Sequence, residues 1–228
     1  MHDKKSSFIK KIVTSVVGIL LLFWCVFLCE GKERGDMEKP IPQSRILLEM
    51  LEASKEGKSF VEMQYEDKHL TNEDFKFMKD YIHDKPDYTA YHFLVMLKLR
   101  NLNTYKTLSP EKRAQILCST LSNTKTFNDW GYLDITESFD KDIARELISL
   151  KKPAVDCLIS LLQNKEPAFL FGSEESTMSE IFQYRRCDFA FRYICLIVGY
   201  EYTFKEDPSD RDEEIKQLLL FLKTKDLK

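Results

Sequence analysis

Four charged side chains stand inside one apolar stretch. Arg185, Arg186, Asp188 and Arg192 lie among Ile181, Phe182, Phe189, Ala190, Phe191 and Ile194. Each guanidinium is a planar fork of N–H donors, so a cluster of them suits an anion. The same cluster suits a carboxylate of its own chain. Read as one helix, Asp188 follows Arg185 by three positions and precedes Arg192 by four, so it can pair with both. A helix this apolar buries part of its charge, and a buried charge has to be paired. The reading taken is a structural Arg–Asp network tying this helix to the loop at 123–136 or to Glu174 and Glu175. The alternative is an anionic ligand or acidic partner met by the arginines.

Asp129, Trp130 and Tyr132 form a second constellation, a carboxylate beside two aromatics. Aromatic rings stack on sugars. Asp129 with Glu174 or Glu175 would supply the two carboxylates of glycoside hydrolysis, which act at separations of ~5 or ~9 Å. No histidine or glycine-rich context accompanies them, so the reading taken is an aromatic loop plugging a helical core. The histidines, His2, His69, His83 and His92, show no ligand spacing. Asp80, His83, Asp84 and Asp87 cluster around Pro86 and read as a solvated turn at a helix end. Phosphate-binding, nucleophile-elbow and calcium-loop motifs are lacking. No metal, no cofactor and no catalysis are expected.

The elements that must position these residues are helices. The chain has 228 residues, 43% hydrophobic, with seven Gly and seven Pro, which describes neither a disordered nor a fibrous protein. Net charge is −3 and no basic stripe carries interleaved aromatics, so nucleic-acid binding has no support. Ser44 can cap a first helix bearing Ile46, Leu47, Met50 and Leu51. Residues 55–70 are ambiguous and allow a short strand. Thr71-Asn72-Glu73-Asp74 is a capping-box start. Tyr88 to Leu99 is apolar on nearly every face, the pattern of a helix in the middle of a domain. Ser109-Pro110-Glu111 opens another helix. Residues 123–136 read as a loop. A stripe of Ile143, Ala144, Leu147 and Ile148 is interrupted at Lys152-Pro153, where a further helix starts. Residues 164–178 read as a long loop, and Ser179 to Val198 as the longest helix after the N-terminal segment, ended by Gly199. Asp207-Pro208 starts the last helix, and the acids from Glu206 to Glu214 complement its dipole. About eight helices without strand alternation make an all-α domain.

Cysteines number six. Cys118, Cys157, Cys187 and Cys195 fall in apolar helical runs and are read as buried free thiols. In an exported domain, one or two disulfides are the alternative. No C-x-x-C motif occurs, which disfavours a zinc ribbon or thioredoxin-like site.

Lys151 to Val198 resembles a HEAT-type helical repeat. Pro153, Leu158, Leu161 and Leu162 fit its first helix, and Arg186, Asp188, Ala190, Tyr193 and Ile194 fit its second. The departure lies between them, where about 20 residues replace the short turn the family uses. The preceding pair, 111–122 and 140–150, could be a degenerate neighbour. The resemblance implies stacked antiparallel helix pairs whose surfaces bind other proteins, and it implies no catalysis.

The location is set by Ile12 to Cys29, a run without charge. As a helix it spans roughly 27 Å, close to the ~30 Å hydrocarbon core. Lys4, Lys5, Lys10 and Lys11 precede it, which puts the N-terminus in the cytoplasm and the remainder outside. Residues 1–30 are therefore read as a signal anchor. The alternative is a lipoprotein signal with Cys29 acylated, although Val26-Phe27-Leu28 are not the small residues a cleavage site wants. Residues 31–43 form a flexible linker, and 44–228 an extracytoplasmic all-α domain. The expectation is a cell-membrane protein that binds a protein partner, for envelope assembly or as an immunity-type neutraliser. The alternative is the envelope glycan hydrolase with paired carboxylates.

Overall fold

The computed structural model describes residues 44–57, 69–133 and 142–224. Ten α-helices follow one another: α1 Arg45–Glu56, α2 Asn72–Asp84, α3 Tyr88–Arg100, α4 Leu102–Lys106, α5 Pro110–Asn123, α6 Asp142–Ser149, α7 Lys152–Leu161, α8 Ser173–Phe182, α9 Arg186–Val198 and α10 Pro208–Thr224. One 3-10 turn, Asn128–Trp130, lies between α5 and α6. Among the described residues the extended pairing is a single bridge, Pro167 to Arg185, so the all-α expectation holds. These residues all fall within one compact unit, Pro42–Lys228. The Ile12–Cys29 segment, the 31–43 linker and Cys29 lie outside the described residues. Among those described, no helix is long and apolar enough to cross a membrane.

Helix starts follow local chemistry. Thr71 Oγ1 accepts from Asp74 N at 3.2 Å, and Asp74 Oδ2 accepts from Thr71 N at 2.8 Å, closing the capping box of α2. Asp87 Oδ1 accepts from Ala90 N to open α3, and Ser109 Oγ accepts from Lys112 N to open α5. Asn101 does the same for the short α4, which hydrophobic periodicity does not reveal because one turn shows no period. Gly199, at φ 67°, ends α9 in the left-handed conformation.

Helix α3 is buried along most of its length and packs against α1, α2 and α5. From α5 the packing passes to α7, from α7 to α9, and from α9 to α6 and α10. An apolar all-round helix needs neighbours on every side, and α3 has them. At the junction of α3, α4, α5 and α6 sits one carboxylate. Glu146 accepts from Lys98 Nζ at 3.1 Å, from Arg113 Nη1 at 2.9 Å and from the Tyr105 hydroxyl.

Two expectations are corrected. Ser179–Val198 is not one helix, and 164–178 is not wholly loop. Helix α8 begins at Ser173 and stops at Phe182. Gln183 turns left-handed at φ 48°, Arg185 is extended, and α9 starts afresh at Arg186. The restart is chemical: Asp188 Oδ2 accepts from Arg185 N at 3.0 Å, so the carboxylate caps a new N-terminus rather than pairing along a continuous helix. The second correction concerns thiols. Cys118 on α5 and Cys157 on α7 form a disulfide with Cα atoms 6.2 Å apart, closing a separation of 39 residues. Packing of α5 on α7 brings the two into bridging range, which spacing along the chain cannot show. Cys187 and Cys195 are free and buried, as expected.

Cys118→Ala with Cys157→Ala should lower unfolding free energy by about 3–4 kcal/mol in urea titrations, the range for a loop of this length. An unchanged midpoint would show that the bridge constrains nothing. The Glu146 junction predicts a pH dependence. Burial alone would raise its carboxyl, but the Tyr105 hydrogen bond and the charges of Lys98 and Arg113 outweigh it and hold the pKa below its ordinary 4.5. A depressed folded pKa gives stability that is present above the ordinary value and lost as pH falls through the folded one. Unfolding midpoints should therefore drop below about pH 4.3 in the wild type, and Glu146→Gln should flatten part of that decline.

Candidate functional site

The charged residues of α9 form a closed network, with a partner that sequence reasoning did not supply. Arg185 donates from Nη2 to Asp188 Oδ1 at 2.8 Å and from Nε to Oδ2 at 3.2 Å. Its Nη1 donates to Asp212 Oδ1 at 2.8 Å, on α10. Asp188, 2% exposed, is met from the other side by Arg211 Nε at 3.1 Å. Arg211 is itself 1% exposed. Its Nη1 donates to the carbonyls of Lys205 and Glu206, and its Nη2 to those of Phe182 and Gln183 at 2.8 and 3.1 Å. Arg211 thus satisfies carbonyls that the end of α8 leaves without helical donors. Lys165 reaches Asp212 at 2.5 Å and joins the same network.

Arg186 points the other way. It donates to the carbonyls of Leu121 and Thr124 at 3.0 and 2.9 Å, closing the C-terminal end of α5. Its Nε lies 3.1 Å from Glu166, and its guanidinium lies 5.3 Å from the Phe127 ring centroid. The guanidinium of Arg192 lies 5.4 Å from the centroid of Tyr202. The expected tie to the 123–136 loop exists through Arg186. The salt bridges of Arg185, Arg186 and Asp188 run to Glu166, Arg211 and Asp212 rather than to Glu174 and Glu175. The Nη groups of both arginines and the Nε of Arg185 donate to protein oxygens, and the Nε of Arg186 faces the Glu166 carboxylate, so both guanidiniums are engaged within the fold.

The aromatic loop is a plug. Trp130 is 1% exposed, and its carbonyl accepts from the buried Tyr193 hydroxyl. Neither face of that indole is open to a sugar. Asp129 lies close enough to Tyr91 that its charge adds to burial in pushing the Tyr91 hydroxyl upward. Tyr132 donates to Glu175 Oε1 at 3.4 Å, so this loop does meet the start of α8. Burial pushes the Cys187 and Cys195 thiols up to about 12, and neither is a nucleophile at neutral pH. Among the described residues, no cluster of His, Cys, Asp and Glu is arranged to hold a metal.

What the network positions is the segment between α7 and α8. Residues 166–171 are extended and clamped along both edges. On one edge, Ala168 N donates to the Tyr184 carbonyl at 2.8 Å, and Arg186 N donates to the Glu166 carbonyl at 3.0 Å. On the other, Phe127 N donates to the Phe169 carbonyl at 3.0 Å. Asn128 completes that edge, accepting from Phe171 N at 2.8 Å and donating to the Phe171 carbonyl at 2.6 Å. Extended backbone turns successive side chains to opposite sides. Ala168 and Leu170 accordingly enter the core, while Phe169 and Phe171 point out, 58% and 62% exposed. Gly172 follows at φ 124°, where a Cβ would stand 2.1 Å from Glu175 Oε2, so glycine is needed for the turn into α8. Ser179 Oγ, on the inner side of α8, donates to the Ala168 carbonyl at 3.1 Å and fixes the helix beside the segment. Glu174, Thr177 and Ile181, spaced three and four apart, form the opposite side, and Ile181 is 63% exposed.

Sequence reasoning placed residues 164–178 in a long loop and gave Phe169 and Phe171 no role. The alternation Ala-Phe-Leu-Phe was the available signal, but it is too short to be read as extended without knowing its clamps. Comparison with protein-family models, with curated proteins and with solved structures gives no match.

Removing Arg211 leaves Asp188 buried with half of its pairing and four carbonyls without their donor. Arg211→Met should cost about 3–5 kcal/mol in chemical denaturation, as for other broken buried pairs. Arg211→Met combined with Asp188→Asn should recover part of that loss. A neutral Arg211→Met would show that the network holds nothing in place.

Proposed function

We propose that this chain is a membrane-anchored, extracytoplasmic interaction module that binds a protein partner through Phe169 and Phe171. The observation that carries this reading is the outward register of the two phenylalanines. They are not loose loop residues that could fold inward. Backbone hydrogen bonds on both edges fix which side chains face out, and a one-residue slip would expose Ala168 and Leu170 instead. Large apolar side chains held rigidly at a surface gain by being covered, and aromatics dominate the energy of such contacts. Little ordering entropy is lost on binding when the display is already fixed.

The location rests on Ile12–Cys29 and the lysines before it. The Cys118–Cys157 disulfide supports that side of the membrane, because structural disulfides persist in oxidising compartments. The HEAT-type likeness adds a topological point. Helices α7 and α9 pack together, and the segment that replaces the repeat's short turn is the one bearing the exposed phenylalanines. Insertions between repeat helices map to loops on one face, often the binding face. The hydrolase alternative needs rings open to a sugar, and the buried Trp130 offers none, so a second reading is not advanced.

The test uses the full chain in its own membranes, with a photo-crosslinking residue at Phe169, at Phe171 or at the exposed Lys216 of α10. Positions 169 and 171 should each give one discrete heavier protein adduct that position 216 does not. Adducts at all three positions alike, or at none, would reject the reading.

A further inference from the structure

We infer that the segment's partner is a polypeptide stretch that combines apolar side chains with positive charge. This rests on the proposed binding face and adds the chemistry of what covers it. From Glu166 to Gln183 the chain carries Glu166, Glu174, Glu175 and Glu180 and no Lys, Arg or His. Glu166, Glu174 and Glu180 are exposed. Two of the four have work within the fold: Glu166 meets Arg186 at 3.1 Å, and Glu175 meets Tyr132 at 3.4 Å. Glu174 shares the outward side of α8 with Ile181, and Glu180 is its neighbour in sequence.

Glu175 Oε2 lies against Gly172, the residue after Phe171, and the basic residues that flank the segment in sequence are engaged elsewhere. Lys165 pairs with Asp212, Arg185 with Asp188 and Asp212, and Arg186 with Glu166 and the end of α5. Two exposed phenylalanines on a segment whose charged side chains are carboxylates are complementary to apolar residues interleaved with Lys or Arg. Such a segment opposes a second copy of itself, because an isologous contact would set glutamates against glutamates. It equally opposes an anionic lipid surface, which attracts basic rather than acidic segments.

The experiment places the full chain in nanodiscs of zwitterionic lipid, with empty nanodiscs as the blank. Fluorescence anisotropy follows a short labelled peptide of alternating leucine and lysine. The comparison peptides have glutamate in place of lysine or serine in place of leucine. The leucine–lysine peptide should bind, and both comparison peptides should bind at least about tenfold more weakly, a difference of ~1.4 kcal/mol. Phe171→Ala should weaken the leucine–lysine peptide by at least about tenfold, the range of a buried aromatic anchor. Glu174→Lys with Glu180→Lys should weaken it similarly and remove its salt dependence, with circular dichroism unchanged. Equal binding of the glutamate peptide that is still lost in Phe171→Ala would overturn the charge assignment and leave the binding face standing. Binding of no peptide, or binding indifferent to Phe171→Ala, would overturn both. Self-association abolished by Phe171→Ala, or Phe171-dependent binding to phosphatidylglycerol vesicles, would replace the proposed partner with a second copy or a lipid surface.

Discussion

The structure depends on one buried arginine. Arg211 sits at 1% exposure between α8, α9 and α10, with four backbone carbonyls and the Asp188 carboxylate around its guanidinium. Burying such a group is unfavourable unless every donor finds an oxygen. The fold gives the Nη donors four carbonyls and the charge the Asp188 carboxylate by ending α8 at Phe182, turning the chain left-handed at Gln183 and starting α9 with Asp188 in its first turn. The same carboxylate caps the new helix, takes Arg185 and balances Arg211. Two arginines and two aspartates, Asp188 and Asp212, leave the core of the network without net charge. Geometry that looks like a break in a helix is the consequence of satisfying this group.

From that break follows the arrangement at the surface. Arg185 is extended because it lies between two helices, and the backbone groups of Tyr184 and Arg186 on either side of it pair with Ala168 and Glu166. Asn128, next to the plugging Trp130, closes the opposite edge through both its amide nitrogen and its oxygen. The register of residues 166–171 is thus set by partners far away in sequence. Their side chains have no freedom to choose a side. Two phenylalanines stay in water because the backbone around them has no alternative that keeps Leu170 buried.

The sequence made the helical class legible, and several helix starts with it, because capping is local. Thr71 with Asp74, Asp87, Ser109 and Gly199 behave as their residue types suggest. The central position of α3 was legible too, since an apolar run from Tyr88 to Leu99 can be satisfied only by neighbours all round. The failures share a different origin. The division of 179–198 into two helices, the pairing of Cys118 with Cys157 and the role of Arg211 all depend on contacts between distant segments. Arg211 stands in an acidic run where an exposed charge is the ordinary expectation, and nothing nearby marks it as buried. Asp188 was recognised as the centre of a charge network, but its geometry was drawn on a continuous helix. Trp130 is buried and Tyr132 packs half-buried against the core, whereas the outward pair Phe169 and Phe171 was passed over because four alternating residues are too few to reveal an extended segment.

Arg211 follows in the chain the carbonyls and the carboxylate that it serves, and that order has a temporal consequence. A polypeptide is synthesised, and where exported is threaded, from its N-terminus. Helices α1 to α7 and the Cys118–Cys157 pair emerge well before residue 211. The end of α8 then waits with the carbonyls of Phe182 and Gln183 unserved, and Asp188 with Arg185 alone, until α10 arrives. The turn from α8 into α9 is therefore completed only once α10 has emerged. A molecule clipped before residue 211 would keep the disulfide between α5 and α7 and lack the donor that closes the end of α8.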